Sequence, residues 1–255
     1  MKLLHLIHLN LTRLMCGLFC GLGLTLAAQL SAANESLAAS GTTPTPRTIE
    51  FPWMSVATWD KMYAEDITVA ETGGVDLLFV GDSITAGWNW EIWQKNFAQY
   101  NPANFGIGGD HSGNLLWRLK YGHAEKLNPK TVVVLIGVNN FGHLNETPTQ
   151  VFQGIKANVV LLRNIYPKAK ILVNGVFPFE ESATSPKRAQ VKEVNALVAK
   201  LADNKHVFVK DYGALFLQAD GTISKDIMGD FLHPTAAGYQ IWADALLPDI
   251  QKLMK

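Results

Sequence analysis

The stretch VDLLFVGDSITAGW, Val75 to Trp88, decides the fold. A mostly apolar run from Val75 to Val80 breaks abruptly at Gly81-Asp82-Ser83. Such a run, ended by a glycine, reads as a buried parallel strand entering a tight turn. Open α/β sheets bind ligands outside the carboxyl ends of their strands, so Ser83 stands where a nucleophile is useful. Asp82 and Ser83 equally suit a helix cap. The stretch alone does not choose between the two.

Working outward, strands are expected near Ala103–Phe105 and over Thr131–Ile136, Lys170–Val176 and His206–Lys210. Between them, helical patterns run over Glu91–Tyr100, Gly113–Tyr121, Thr147–Ile165 and Pro186–Asp203, with a last one from Thr235 to Leu253. Pro148 in a first turn and Pro167 beyond an end mark the third of these. The aromatic stretch Phe51–Tyr63, with Trp53 and Trp59, is expected as an N-terminal helix packed over the domain. Strands alternating with helices mean an α/β fold, a parallel sheet covered on both faces. Five strands fit a three-layer α/β/α sandwich of flavodoxin-like order 2-1-3-4-5. The first strand then lies between the second and third, and the loops after all three open on one rim.

The 255 residues, 48% hydrophobic and 17% charged, hold enough apolar material for one sizeable core. Lys+Arg and Asp+Glu both number 22, so no charge excess points to nucleic acid or an anionic membrane. Residues 1–33 are different material. Their only charges are Lys2 and Arg13, an apolar stretch runs from Leu14 to Ala28, and the small residues Ser31-Ala32-Ala33 follow. That is a signal-peptide pattern, cleaved near Ala33 for a secreted or periplasmic protein. The alternative is an uncleaved anchor, for which the run is short. Cleavage removes both cysteines and takes Lys+Arg from 22 to 20 against 22 Asp+Glu, a net charge of −2. Residues 34–50, small, polar and proline-containing, read as a flexible leader, and 51–255 as a single domain.

The loops after the first three strands carry Ser83, Gly109 and Asn139, and Asp230 and His233 arrive late. Acyl transfer needs these parts. A serine hydroxyl becomes a useful nucleophile when an imidazole takes its proton, and the imidazole needs a carboxylate to fix its tautomer. The oxyanion of the tetrahedral intermediate needs preset donors. The backbone N–H of Gly109, the side chain of Asn139 and the N–H of Ser83 are candidates. Each residue also has an innocent role as a cap or turn former. Finding all of them at strand ends favours the chemistry.

The motifs resemble a family. GDSI at Gly81–Ile84, NFGIGGD at Asn104–Asp110, GVNN at Gly137–Asn140 and DFLH at Asp230–His233 match the four blocks of the SGNH (GDSL-type) hydrolases. NFGIGGD followed by LLWRL at Leu115–Leu119 is similar to the branch holding platelet-activating-factor acetylhydrolase catalytic subunits and bacterial carbohydrate esterases. The resemblance implies Ser83 as nucleophile, His233 as base and Asp230 as its partner. It also implies oxyanion donors at Ser83, Gly109 and Asn139, and no cofactor. Val138 stands where many members have threonine. An export signal separates the chain from the intracellular lipid-mediator enzymes.

A serine esterase removing a short acyl group, acetyl first, from a glycan or small ester is the expected function. A lysophospholipase or thioesterase of the same fold and a non-catalytic carbohydrate-binding domain are the competing readings. Ile84, Val138 and Leu232, each beside a catalytic position, are expected to converge as a small acyl pocket. Trp88, Trp90 and Trp93 serve either as core or as a platform for a sugar ring. His111, His123, His143 and His206 are scattered without metal-ligand spacing and are expected at the surface or in loops. Position 111, a histidine, breaks the third glycine of a dinucleotide fingerprint. The expected partner is an ester substrate, with no nucleic acid and no membrane span after cleavage; oligomeric state is not legible. If Ser31-Ala32-Ala33 is cleaved, terminal sequencing of the exported protein finds a first residue near Asn34. An intact residue 1 on a membrane-bound protein contradicts it.

Overall fold

The structure is a computed structural model that describes residues 41–255. Residues 1–40, with the expected signal segment and the start of the leader, lie outside the described residues.

Five parallel strands form one sheet in the order β2-β1-β3-β4-β5. They are β1 (Leu77–Gly81), β2 (Pro102–Gly106), β3 (Thr131–Leu135), β4 (Lys170–Asn174) and β5 (Val207–Lys210). All residues of β1 and β3 are buried, as strands covered on both faces must be. The helices are α1 (Val56–Thr72), α2 (Ser83–Ala86), α3 (Trp90–Phe97), α4 (Ser112–Tyr121), α5 (Val138–His143), α6 (Pro148–Ile165), α7 (Pro186–Val198) and α8 (Ala236–Leu253). Local chemistry sets their starts. Ser55, Asn89, Thr147 and Thr235 each accept a backbone N–H from the first turn of the helix they precede. Thr147 and Gln150 complete a reciprocal capping box. Among the described residues no helix is long and apolar enough to cross a membrane.

Register positions the site. Gly81 at the end of β1 is opposite Gly106 of β2 and Leu135 of β3, so three strands finish level. Gly106 must lack a side chain, because a Cβ there would lie 2.3 Å from the backbone nitrogen of Ala86. This close approach seats α2, with Ser83 at its first residue, against the end of β2.

Residues 41–50 fall within the segment expected as a leader. They form no helix or strand, yet they lie along the domain. Gly41 C=O accepts from Ser112 Oγ at 2.9 Å, and Thr45 N–H donates to Gly113 C=O at 3.1 Å. Arg47 is only 5% exposed, its charge paired with Asp110. An arginine with a buried carboxylate partner can be held where composition alone suggests a tether.

Candidate active site

Ser83, His233 and Asp230 come together. Ser83 Oγ lies 2.8 Å from His233 Nε2, and His233 Nδ1 lies 2.7 Å from Asp230 Oδ2. A carboxylate only accepts, so Nδ1 carries the proton and Nε2 is left to accept from the serine hydroxyl.

Each side chain has a local cause for its place. Asp82 caps α2, its Oδ1 accepting the Ile84 N–H at 3.0 Å, which fixes the turn that presents Ser83. Tyr239 of α8 donates to Ile84 C=O at 2.8 Å and ties the same turn to the last helix. Asp230 folds its own loop as well as serving the imidazole. Its Oδ1 accepts the N–H groups of Leu232 and His233 at 3.0 and 2.7 Å. Burial pushes the Asp230 carboxyl up, but the His233 N–H, the imidazole and the Leu232 N–H outweigh it, so its pKa lies below the usual value. Phe231 takes a left-handed φ of 61° in this loop, and its C=O accepts the Glu180 N–H at 2.9 Å, anchoring the loop to the segment after β4.

The loop Gly106–Asp110 lies beside the serine, since a Cβ on Gly108 would sit 4.0 Å from Ser83 Cβ. Gly109 has a φ of 74°, and a Cβ there would lie 2.5 Å from the Trp53 ring. Asn139 Nδ2 donates one hydrogen to Asp110 C=O at 2.9 Å, which leaves a second for another acceptor. Backbone N–H groups at Ser83 and Gly109 and the Asn139 amide are thus carried by three adjacent loops.

A buried charge cluster holds this loop. Asp110 Oδ1 accepts from Arg47 Nη2 at 3.1 Å and Trp59 Nε1 at 2.7 Å, while Oδ2 accepts from Arg118 Nε at 2.8 Å. Arg47 Nη2 also reaches Gly108 C=O at 2.7 Å, so one guanidinium spans Gly109 from both sides. Arg118 adds Asp66 at 2.9 Å and the carbonyls of Gly81 and Phe105 at the ends of β1 and β2. Burial pushes the Asp66 carboxyl up to about 7 against the pull of Arg118.

Other expected residues fall differently. Ile84 and Val138, 1% and 4% exposed, belong to the hydrophobic core, and only Leu232 keeps appreciable surface. Trp88 and Trp93 are core, packed with Phe79, Phe97 and Trp242, whereas Trp90 is 70% exposed. His111 lies half-buried in the loop before α4 and caps that helix, its Nδ1 accepting the Gly113 N–H at 3.1 Å. Burial, with Arg47 and His143, pulls its pKa down to about 4. Among the described residues no group of three or more His, Cys, Asp or Glu is placed to hold a metal ion. A cavity of about 560 Å³ between α7 and the segments after β4 and β5 is lined by none of Ser83, Asp230 or His233.

Sequence reasoning missed Arg47 and gave Trp53 and Trp59 only a packing role. It quoted Arg118 without giving it a task, though a charge between Leu115 and Leu119 on one helical face was the available signal.

Residues 79–241 match the GDSL-like lipase/acylhydrolase family. The chain belongs to that family. It is a carboxylic ester hydrolase of the GDSL type. Over 182 residues it is 41% identical to platelet-activating factor acetylhydrolase IB subunit alpha2 of Gallus gallus, covering 71% of this chain and 78% of that one. Two solved structures share its fold. A GDSL-like lipase from Bacteroides thetaiotaomicron has a TM-score of 0.60 at 21% identity, over 77% of this chain and 98% of that one. An acetylxylan esterase from Geobacillus stearothermophilus has a TM-score of 0.55 at 21% identity, over 70% and 94%.

Asp82, beside the serine, gives a pH signature. Its Oδ2 is buried without a hydrogen-bond partner, and burial pushes its carboxyl up to about 7. The folded chain therefore holds a proton that the unfolded chain releases near pH ~4. The stability this contributes is full below that pH and is lost as pH rises through about 7. Urea denaturation from about pH 5 to about pH 8 is expected to show stability falling, with a shallower slope in Asp82→Asn, which keeps the acceptor for Ile84 N–H. Equal slopes in the two proteins contradict this account of Asp82.

Proposed function

We propose that this GDSL hydrolase is an exported serine esterase that removes a short acyl group, acetyl first, from a carbohydrate or other small alcohol. The observation that carries the chemistry is the unbroken relay of Ser83 Oγ, His233 and Asp230 at 2.8 and 2.7 Å.

In this reading the Ser83 hydroxyl attacks the ester carbonyl carbon as His233 Nε2 takes its proton. Asp230 stays ionised and stabilises the imidazolium. The carbonyl oxygen becomes an oxyanion held by the N–H groups of Ser83 and Gly109 and the free hydrogen of Asn139 Nδ2. Each such donor, when preset, lowers the barrier by about 3–4 kcal/mol. The tetrahedral intermediate collapses, and His233 gives the proton to the departing alcohol oxygen. Water, deprotonated by His233, then attacks the acyl-serine and releases the acid.

Support for a short acyl group comes from the names of a relative and a neighbour in fold, an acetylhydrolase and an acetylxylan esterase. The carbohydrate half rests on the second of those names and on the aromatic surface near the serine. Export rests on the pattern of residues 1–33.

A p-nitrophenyl ester series tests the reading. The wild-type chain is expected to lose kcat/KM steeply from acetate to butyrate to octanoate, and Ser83→Ala to lose at least ~10³-fold in kcat on acetate. A profile that rises toward octanoate promotes the long-chain lysophospholipase or thioesterase reading. A Ser83→Ala protein as active as wild type removes the nucleophile assignment.

A further inference from the structure

Next to Gly109 lies a second, smaller cavity of about 140 Å³, roofed by the segment that precedes α1. Arg47, Phe51, Gly109, His111 and His143 are among the residues that line it, and no carboxylate is. It shares Gly109 with the oxyanion loop, so whatever occupies it sits beside the reacting ester.

Two features set its chemistry. Arg47 is 95% buried by its 5% exposure, and its Nη1 has no hydrogen-bond partner, while Nη2 is used by Gly108 C=O and Asp110. A buried guanidinium nitrogen without an acceptor is costly unless a ligand supplies one. The face of Phe51, 5.2 Å from the guanidinium carbon, is the compensation the fold itself provides. His111 adds a second donor, because its Nδ1 accepts the Gly113 N–H and so leaves the ring proton on Nε2.

Charge balance points the same way. Asp110 is one carboxylate shared by Arg47 and Arg118. Asp66, on the far side of Arg118, has its carboxyl pushed up to about 7 by burial and is ionised only in part at neutral pH. The cluster behind the cavity is left with more positive charge than negative.

An aromatic surface continues from the cavity to the serine. Phe51 stacks on Trp53 with ring centroids 4.8 Å apart and an interplanar angle of 8°, and His143 lies 4.8 Å from Phe51. Trp53 is 58% exposed, and its ring packs over Gly108 and Gly109. An exposed, flat indole braced by a second ring suits the apolar face of a pyranose.

From this arrangement we infer that the cavity is a subsite for a carboxylate, and that the preferred alcohol half is an acidic sugar, an acetylated uronic acid whose ring lies on Trp53 and whose carboxylate meets Arg47 and His111. The inference deepens the esterase reading and rests on it for the identity of the reacting group.

The full-length mature chain serves for both arms of the test. In the first, kcat/KM for acetate release is compared on an O-acetylated methyl glucuronoside and on the neutral methyl ester of its carboxyl group, with p-nitrophenyl acetate as a control for the esterase itself. The charged substrate is expected to be favoured at least about tenfold, the scale of a charge-assisted hydrogen bond, with the difference in KM. Equal rates, or preference for the neutral ester, while p-nitrophenyl acetate is still cleaved overturn the subsite and leave the esterase reading standing. In the second arm, binding of D-glucuronate, D-glucose and inorganic phosphate to Ser83→Ala is followed by calorimetry, which needs no turnover. Glucuronate is expected to bind at least about tenfold more tightly than glucose and more tightly than phosphate, with the margin over glucose lost in the Ser83→Ala, Arg47→Met double variant. Phosphate binding as tight as glucuronate, or a margin over glucose that survives in the double variant, overturns the carboxylate subsite. Should the double variant not fold, the wild-type preference in the first arm decides alone.

Discussion

The buried carboxylate of Asp110 is the constraint on which the site depends. It has no exposed surface and accepts from Arg47, Trp59 and Arg118, which come from the N-terminal segment, α1 and α4. A buried charge is tolerable only with such partners, and removing one of a buried pair typically costs about 3–5 kcal/mol. Burial pushes the Asp110 carboxyl up, while Arg118, Trp59 and Arg47 hold it down. The same residue follows Gly109, and its carbonyl accepts from Asn139. One side chain therefore fixes the position of the second loop, and one backbone oxygen joins it to the third.

The geometry around Ser83 follows from that anchor together with the sheet register. Because β1, β2 and β3 end level, their loops meet at one rim, and Arg118 binds Gly81 C=O at the end of β1 and Phe105 C=O one residue before the end of β2. His233 comes from a different part of the chain. Its loop is fixed by the Asx-type bonds of Asp230, by the Phe231 carbonyl and by Thr235, which caps α8 while its hydroxyl donates to Asp226 C=O at 2.6 Å. Two differently braced halves thus meet between Ser83 and His233, with the Tyr239 bond to Ile84 C=O as a second tie. Preset placement of this kind is what lets a hydroxyl–imidazole pair act without reorganising at each turnover.

Much of this was legible in the sequence, for physical reasons. A strand buried on both faces must be an apolar run, which is why TVVVL and KILV announce β3 and β4 and why the order of elements gave the topology. Thr147-Pro148 marks the start of α6 because a hydroxyl cap and a proline both suit a helix start. The short helices α2 and α5 carry too few residues for a periodic signal. The burial of Ile84 and Val138 depends on those helices and so left no pattern to read. Arg47 was hidden for another reason. Its burial depends on a carboxylate 63 residues away, a pairing that leaves no local pattern in a stretch of threonine and proline. Trp53 is likewise defined by its neighbours Phe51 and Gly109, and nothing in the sequence separates it from the core tryptophans Trp59 and Trp88.

The central claim is that Ser83, activated through His233, is the nucleophile of this hydrolase. Incubation with an organophosphonate ester followed by peptide mass mapping addresses it directly, because the reagent marks the serine whose proton a neighbouring base removes. The account predicts one adduct per chain, on the peptide containing Ser83, and none in His233→Ala. An adduct on another serine, or equal labelling of the His233→Ala protein, would contradict it.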